Sequence, residues 1–386
     1  MNTYFLASKS YLMKKFSILS EQQLYFYLGK RFTFPICNKT EMIHYIYFLS
    51  LSNERRFLGD SAKFRVIELL NQNNNFINSM NLEQQLPLLA GLSNLYIYDE
   101  KLIKSICQVI QQNLPSINIR DRLFIVHNLQ KLRMENHPLF AIISDQLNNQ
   151  FEFMDHFDQI VYLLIQTRLY HENLVSSQII ENLLKQFMDQ KKETIQNYSN
   201  QFNSRYCQLM FNLFPEVIGQ NYQDAKPSEQ NQFYPHFQKL ERIYRIARRV
   251  IDKRTGFQKV DYYEYQNVNF LKIPIEENRE KLTSLELKVL NVLKTLNIKF
   301  NSQERILIYN VDFLLPNNII INCNGPLHFI MNLQQQLIGY SPNHQTVLRH
   351  LKSGNYHIVD IEYEEWNKLT NLSSKQSYLK SLINVI

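Results

Sequence analysis

Residues 305–325 read RILIYNVDFLLPNNIIINCNG and contain two apolar runs separated by a Pro-Asn-Asn turn. The Val, Ile, Phe and Tyr residues of these runs favour strands, and the proline and the glycine mark where the strands end. A third run, YHIVDIEY at residues 356–363, follows a turn signal at Gly354. The sequence of residues 282–296, LTSLELKVLNVLKTL, has helical periodicity instead. We therefore predict a small α/β domain in the last third of the chain.

Upstream of this domain, from about residue 41 to residue 185, apolar residues recur at helical rather than alternating spacing. A longer period is also present, because Leu95, Leu132 and Leu169 end similar phrases 37 residues apart (132 − 95 and 169 − 132). A short polar break and a second apolar helix follow each phrase. Two helices per unit of about 37 residues predict an α-helical repeat solenoid. A weaker first unit is expected around residues 49–69, and a further unit around residues 206–214.

The composition changes after the helix KLERIYRIARRVIDKR of residues 239–254. We therefore predict an α-helical repeat array over residues 31–255 and an α/β domain over residues 256–386. Residues 1–30 form a basic N-terminal segment, whose first twenty residues contain three lysines, several serines and no acidic residue. That composition is typical of a mitochondrial presequence, and an ordinary basic first helix is the alternative.

The chain of 386 residues has 42 Lys and Arg against 35 Asp and Glu, a net charge of +7. This excess favours polyanionic partners such as nucleic acid. Neither G-x-G-x-x-G nor G-x-x-x-x-G-K-[ST] is present, so we expect no nucleotide-driven chemistry and no cofactor. The four cysteines form no C-x-x-C pair, which gives no indication of a zinc site or a disulfide framework. No apolar run is long enough to cross a membrane, and no membrane insertion is expected.

The order of the C-terminal motifs resembles the RAP domain, with its core over residues 306–369. A strand with Asp312 precedes a strand that ends in Asn-Gly-Pro, and a His-Phe pair, a helix, a Gly-containing turn, a strand and the single Trp of the chain follow. Members of that family are mostly organellar and carry α-helical repeats upstream, in an octotricopeptide-repeat or FAST-kinase-like architecture. They act in RNA processing, RNA stability, translation or ribosome biogenesis. The resemblance implies a protein of the mitochondrial matrix whose partner is mitochondrial rRNA or mRNA.

The resemblance also implies a restriction-endonuclease-like fold, in which an Asp and a D/E-x-K triplet on the next strand hold a metal ion. Asp312 matches the first ligand, but Asn322 and Asn324 occupy the two acidic positions of the family's usual Ile-Glu-x-Asp-Gly-Pro. Amides supply too little negative charge for a hard cation and its activated water, and the lysine is missing. We therefore expect a degenerate site without metal, catalytic residues or nuclease activity. Asp360 and Glu362, two apart on a predicted strand, are the alternative acidic pair.

The candidate RNA-binding residues are basic and lie in two predicted helices. Arginine suits phosphate contact because its planar guanidinium donates several hydrogen bonds, although a solvated helix face would have the same pattern. Tyr340 and Trp366 offer flat faces for bases, and burial in the core is the alternative for the Trp. The basic candidates are Arg242, Arg245, Arg249, Lys253 and Arg254 in residues 239–254, and Arg349 and Lys352 about one helical turn apart near the C-terminal end.

The function expected from these features is that of a non-catalytic mitochondrial RNA-binding protein. A first alternative is a structural component of the mitochondrial ribosome that holds rRNA and neighbouring ribosomal proteins. A second alternative is a metal-dependent nuclease, against which Asn322 and Asn324 count.

Overall fold

A computed structural model describes residues 39–51, 61–73, 80–176, 282–306 and 309–384, with a few further residues between 178 and 212. The predicted presequence, the predicted boundary near residue 256 and the predicted basic helix over residues 239–254 lie outside the described residues. The chain forms two compact units. The first unit contains the described residues up to Gln150 together with Gly325–His344, and the second contains those of Phe151–Asn324 and Gln345–Ile386.

The described part of the chain is helical before residue 176 and contains both helices and strands after residue 282. The helices are α1 (Lys39–Leu51), α2 (Ser61–Gln72), α3 (Leu82–Asn94), α4 (Glu100–Asn113), α5 (Ile119–Lys131), α6 (Pro138–Asn149), α7 (His156–His171), α8 (Ser284–Thr295), α9 (Pro342–Ser353), α10 (Tyr363–Lys368) and α11 (Leu372–Asn384). The strands are β1 (Asn301–Ile306), β2 (Tyr309–Leu315), β3 (Ile319–Asn324), β4 (Phe329–Met331), β5 (Leu337–Tyr340) and β6 (His357–Glu362).

The predicted 37-residue period is present in the helix starts. Helices α3, α5 and α7 begin at residues 82, 119 and 156, which are 37 residues apart (119 − 82 and 156 − 119). Each helix is preceded by a side chain that accepts a hydrogen bond from the backbone N–H three residues later, namely Asn81, Asn118 and Asp155. These side chains satisfy backbone N–H groups that the first helical turn leaves without partners. The first helix of each 37-residue repeat therefore begins at the same position of the repeat.

Within the first unit, α3 packs against α1 and α5, and α5 packs against α6. The β4–β5 hairpin belongs to the same unit, although it begins 180 residues after the end of α6 (329 − 149). Its Met331 pairs with the turn after α3, where Met331 donates to the Tyr96 carbonyl at 2.9 Å and accepts from the Tyr98 N–H at 2.8 Å. The buried Lys63 of α2 donates to the carbonyls of Pro326 and Phe329 at 3.0 and 2.6 Å. The hairpin is therefore part of the packing of these helices.

The second unit contains a four-stranded sheet in the order β1-β2-β3-β6. The first three strands are antiparallel, and β6 is parallel to β3 with Asn322 opposite Asp360 and Asn324 opposite Glu362. Alternate residues of β3 and β6 point to one side, where Ile321 and Ile361 form a core with α8, Trp366 of α10 and Leu379 of α11. The polar residues between them occupy the other face of the sheet.

The α/β prediction is confirmed in outline, and two details differ from it. The run of residues 305–315 supplies parts of two strands, since Ile306 of β1 pairs with Tyr309 of β2. The edge strand β1 begins in the polar stretch Asn301–Glu304. An edge strand needs few apolar residues, so its sequence has no clear alternation. The β4–β5 hairpin is too short to produce a periodic signal, and the sequence did not predict it.

In the described part of the chain, no helix is long and apolar enough to span a membrane. Cys107 and Cys323 are buried free thiols. Cys37 and Cys207 lie outside the described residues.

Candidate nucleic-acid interface

The polar face of β3 and β6 holds the residues that match the nuclease-like positions. Asn322 and Asn324 alternate with Ile321 and Cys323 along β3, so their side chains point away from the core. Both amides are nevertheless buried, and Asn324 has no exposed surface. Buried amides must find hydrogen-bond partners, and the partner here is a carboxylate on the neighbouring strand.

Asp360 of β6 accepts hydrogen bonds from both amides. The Nδ2 of Asn324 lies 2.9 Å from its Oδ1, and the Nδ2 of Asn322 lies 3.5 Å from the same atom. Asp360 and Glu362, which the sequence offered as an alternative acidic pair, therefore have different surroundings. Asp360 faces two N–H donors, whereas Glu362 is the residue that precedes α10.

This arrangement does not fit a divalent-cation site of the nuclease type. The two amide groups turn their N–H donors toward Asp360, whereas a cation would need oxygen atoms directed at a common point. Among the described residues, no group of three or more His, Cys, Asp or Glu side chains is arranged to hold a metal ion. The neutral amides instead satisfy Asp360 through charge-assisted hydrogen bonds.

Asp312 of β2 has a separate environment. Its Oδ2 accepts a hydrogen bond from the backbone N–H of Cys323 at 2.6 Å. Burial, and after it the negative charge of Glu286 on α8, raise the pKa of the Asp312 carboxyl to about 7, although the hydrogen bond from the Cys323 N–H acts in the opposite direction. The Asp312 carboxyl therefore ionises close to neutral pH. It is not hydrogen-bonded to the side chains of Asn322 or Asn324.

Arg349 and Lys352 both lie on α9, as the sequence predicted, but their surroundings differ. Lys352 is exposed, and its ammonium group is open to solvent. Arg349 is half-buried, and its Nη2 donates to the Oδ1 of Asn212 at 2.7 Å. Burial and the positive charge of Arg168 lower the pKa of Arg349. The two residues therefore do not form one equivalent pair around a phosphate.

Asn212 is a residue that sequence reasoning missed. It is buried, and besides Arg349 it contacts His350 of α9, whose Nε2 lies 2.7 Å from the Asn212 Oδ1. The Nδ1 of His350 in turn lies 2.6 Å from the hydroxyl of Tyr309. No motif or spacing marks an asparagine at this position, because Arg349 and His350 lie 137 and 138 residues away in sequence.

The two aromatic candidates have different positions. Trp366 is fully buried in the core beneath the sheet, which is the alternative that the sequence left open. Tyr340 of β5 is half-buried, and its ring stacks on Phe329 with centroids 4.8 Å apart. Neither ring is open to a base on both faces. The basic candidates Arg242, Arg245, Arg249, Lys253 and Arg254 lie outside the described residues.

Residues 321–382 match the family model described as the RAP domain. This match covers 62 residues (382 − 321 + 1) of the 386 and includes the end of β3 from residue 321, β6, α9 and both nuclease-like asparagines. It confirms the resemblance that the C-terminal motifs carry. The RAP domain is generally associated with RNA binding. No curated protein sequence matches the chain.

Proposed function

We propose that this RAP-domain chain is a non-catalytic RNA-binding protein of the mitochondrial matrix. The observation that carries the proposal is the RAP match over residues 321–382, a domain generally associated with RNA binding. The net charge of +7 supports an anionic partner. Single-stranded RNA is the form proposed, because its unpaired bases expose faces and edges to side chains that are concealed in duplex RNA.

The absence of cleavage is proposed from the chemistry at the nuclease-like positions. A hard divalent cation needs anionic oxygen ligands, and two of the positions that match the nuclease pattern are the amides of Asn322 and Asn324. In the described structure these amides are donors to Asp360. A protein with this arrangement binds RNA without hydrolysing it.

The finer architecture is part of the same proposal. The helix starts at a 37-residue spacing support an α-solenoid, and the mixed sheet with Asp312 on β2 supports a restriction-endonuclease-like fold in the C-terminal region. The proposed contacts to RNA come from the basic residues of the segment 239–254 and from Arg349 and Lys352. The basic N-terminal segment supports mitochondrial import.

A salt titration tests the RNA-binding proposal. Purified chain and a fluorescent single-stranded RNA are titrated at several KCl concentrations, and the logarithm of the affinity is plotted against the logarithm of the salt concentration. We expect a straight line of negative slope, because each phosphate contact releases counterions from the RNA. Replacing Arg242, Arg245 and Arg249 with Gln should weaken binding to all sequences alike and make the slope shallower. Affinity that does not change with salt would contradict the proposal.

A stable component of the mitochondrial ribosome is the second candidate function. The observation that favours it is exposed apolar surface, since Phe153 is 73% exposed and Leu174 is 48% exposed in the second unit. Sedimentation of the tagged protein from mitochondrial lysate separates the two functions. Co-migration with a ribosomal subunit that persists in high salt supports the ribosomal component. Migration as a small complex that ribonuclease abolishes supports a transient RNA-binding factor, and a protein absent from mitochondria contradicts both.

A further inference from the structure

A buried cluster of polar side chains surrounds Asn212 in the second unit. Five residues take part besides Asn212, and we refer to the six as the Asn212 cluster. They are Thr167 and His171 of α7, Tyr309 of β2, Arg349 and His350 of α9, and Asn212 itself. The cluster joins residues that are up to 183 positions apart (350 − 167), so it belongs to the tertiary structure and not to any local motif.

The hydrogen bonds of the cluster fix the orientation of Asn212. Its Nδ2 donates to the hydroxyl of Thr167 at 3.1 Å, so its Oδ1 is the acceptor for Arg349 and for the Nε2–H of His350, each at 2.7 Å. The hydroxyl of Tyr309 donates to the Nδ1 of His350, which is the remaining acceptor on that ring. Burial, followed by the charges of Arg349 and Arg168, holds the pKa of His350 well below its usual value. His350 is therefore neutral, and the polar atoms of Asn212 are all used.

His171 is oriented by the same residue but keeps one ring nitrogen for another partner. Its Nε2 lies 2.7 Å from the backbone carbonyl oxygen of Asn212, and because a carbonyl can only accept, Nε2 carries the proton. Burial and the charge of Arg349 lower the pKa of His171, so the ring is neutral at pH 7 and its Nδ1 is a hydrogen-bond acceptor. Among the described residues Nδ1 has no hydrogen-bond partner, and the side chain is half-buried at the end of α7.

Arg349 also keeps most of its hydrogen-bonding capacity. A guanidinium group has five N–H donors, and within the described residues its only hydrogen bond is to the Oδ1 of Asn212. The negative charge of the exposed Glu172 raises the pKa of Arg349, and the two side chains form no ion pair among the described residues. Arg168, which is 8% exposed, adds a second positive charge in the same region. A half-buried guanidinium in this environment is suited to an anion with several oxygen atoms.

We infer that Arg349 and His171 form a subsite for one nucleotide of single-stranded RNA. The Arg349 guanidinium binds a backbone phosphate, and the Nδ1 of His171 accepts a hydrogen bond from a ribose 2′-hydroxyl. Asn212 is a positioning residue, because its two oxygen atoms hold both side chains. The inference rests on the proposed RNA binding and adds to it the residues that distinguish RNA from DNA, since only RNA has the 2′-hydroxyl donor.

The ring of Tyr170 favours a nucleotide over an acidic protein segment. It is 43% exposed at the end of α7, and its centroid lies 5.7 Å from that of His171. Exposed aromatic rings next to cationic groups are the usual elements on which single-stranded bases stack. A phosphate donor site, a 2′-hydroxyl acceptor and a flat apolar ring together match the three parts of a ribonucleotide.

The experiment measures the affinity of the full chain for a fluorescent single-stranded RNA and for DNA of the same sequence. Arg349→Gln should weaken binding to both about 5- to 20-fold, because hydrogen bonds between charged groups are stronger than neutral ones. His171→Gln keeps an N–H donor for the Asn212 carbonyl but removes the Nδ1 acceptor. It should weaken RNA binding about 3- to 10-fold and leave DNA binding unchanged. Lys101→Gln, at an exposed lysine of α4, is the control that removes one charge elsewhere and should leave both affinities as in the wild type.

Glu172→Gln gives a test in the opposite direction. Removing the carboxylate that acts on Arg349 should strengthen binding to both nucleic acids about 2- to 3-fold. The reason is that the negative charge of Glu172 would no longer repel the phosphate bound at Arg349. Thermal melts of each variant confirm that it is folded. If Arg349→Gln proves unstable, Arg349→Lys keeps the charge, and the His171 and Glu172 variants test the subsite without it.

Three outcomes are decisive. If the wild type binds RNA with the expected salt dependence but all variants bind like the control, the subsite is wrong and the proposed function stands. If the wild type binds no RNA, the proposed function fails and the subsite fails with it. If a polyglutamate peptide competes as well as RNA, and Arg349→Gln removes both, the site binds an acidic protein and the assignment to a nucleotide is overturned.

Discussion

At the scale of single residues, Asp312 shows how position alone changes the chemistry of a side chain. In sequence it is the one carboxylate that matches the nuclease-like pattern. In the structure it accepts a hydrogen bond from the Cys323 N–H, and burial, followed by the negative charge of Glu286, raises its pKa to about 7. Its role in folding therefore depends on pH, whether or not it has a role in function.

The predicted effect on stability follows from the direction of the pKa shift. Between roughly pH 4 and pH 7 the folded protein binds more protons at Asp312 than the unfolded chain, so the free energy of unfolding falls as the pH rises. Above this range the ionised carboxylate should destabilise the protein by roughly 2 kcal/mol, less than the full shift implies because the side chain keeps some contact with water. Asp312→Asn should remove this loss, since the amide oxygen still accepts from Cys323.

Thermal melts of wild type and Asp312→Asn at several pH values measure the effect. The two proteins should melt at similar temperatures near pH 5, and the variant should melt at the higher temperature near pH 8, roughly the two sides of the shifted pKa. Glu83→Gln, at an exposed carboxylate of α3, is the control and should follow the wild type. Parallel profiles for Asp312→Asn and the wild type would show that the carboxyl has an ordinary pKa.

The sequence indicated which residues lie at the nuclease-like positions, but it did not predict their hydrogen-bond partners. Asp312, Asn322 and Asn324 were selected because they fall at positions of a motif, and the sheet register does bring the two amides beside a carboxylate. That carboxylate is Asp360, 36 residues further along the chain (360 − 324), and not Asp312. Hydrogen-bond partners depend on which strands become neighbours, and the sequence of one strand does not contain that information.

At the scale of elements, the contact between α1 and α3 depends on a glycine inside a helix. A Cβ atom at Gly91 would lie 2.6 Å from the Cγ2 of Ile46 and 3.5 Å from its backbone carbonyl carbon. Glycine normally weakens a helix interior, by about 1 kcal/mol relative to alanine. Here it permits the close approach of α1, so the packing of the two helices explains a residue that helix propensity disfavours.

Gly91→Ala should therefore destabilise the protein by about 1 to 3 kcal/mol, because overpacking outweighs the gain in helix propensity. Gly339→Ala is a matched control, since nothing lies within 4 Å of a Cβ atom there. Its effect should stay within about 0.5 kcal/mol. Urea denaturation of the two variants checks the prediction, which a Gly91→Ala variant more stable than the wild type would refute.

The pairing of β3 with β6 gives a second prediction at this scale. Asn324→Asp replaces the donor to Asp360 with a second carboxylate at the same short distance. Without metal ions the two buried charges should destabilise the protein by roughly 3 kcal/mol. Mg²⁺ or Mn²⁺ should recover part of the loss, because the variant has the ligand charge that the wild type lacks. Asn310→Asp, at an exposed position of β2, is the control.

Thermal melts with EDTA and with each metal distinguish the expected result from its opposite. The wild type and Asn310→Asp should melt at the same temperature in all three conditions. Asn324→Asp should melt lower in EDTA and recover only with metal. If metal raises the melting temperature of the wild type by as much, the amides do not prevent cation binding, and the interpretation of this face is wrong.

At the scale of the whole molecule, the division between the N-terminal helices and the RAP domain differs between the sequence and the structure. A segment inside the RAP match packs with the N-terminal helices. Periodicity predicted helices from about residue 41 to residue 185 and strands after residue 304, and within the described residues both are confirmed in outline. Gly325–His344 nevertheless belongs to the unit of the N-terminal helices, where Lys63 binds the carbonyls of Pro326 and Phe329. Contacts between residues more than 260 positions apart produce no periodicity in the sequence. Periodicity therefore predicted the helices and strands, but it did not predict that Gly325–His344 packs with the N-terminal helices.

We propose that the protein binds RNA and leaves it intact. The direct test is to incubate the chain with end-labelled single-stranded RNA in Mg²⁺ and in Mn²⁺, and to measure binding and RNA length in the same samples, with single-stranded DNA and Asp312→Asn in parallel. We predict RNA bound in a salt-dependent manner and recovered at full length, with Asp312→Asn binding as the wild type does. RNA cut by the wild type but not by Asp312→Asn would contradict the claim and identify the protein as a nuclease.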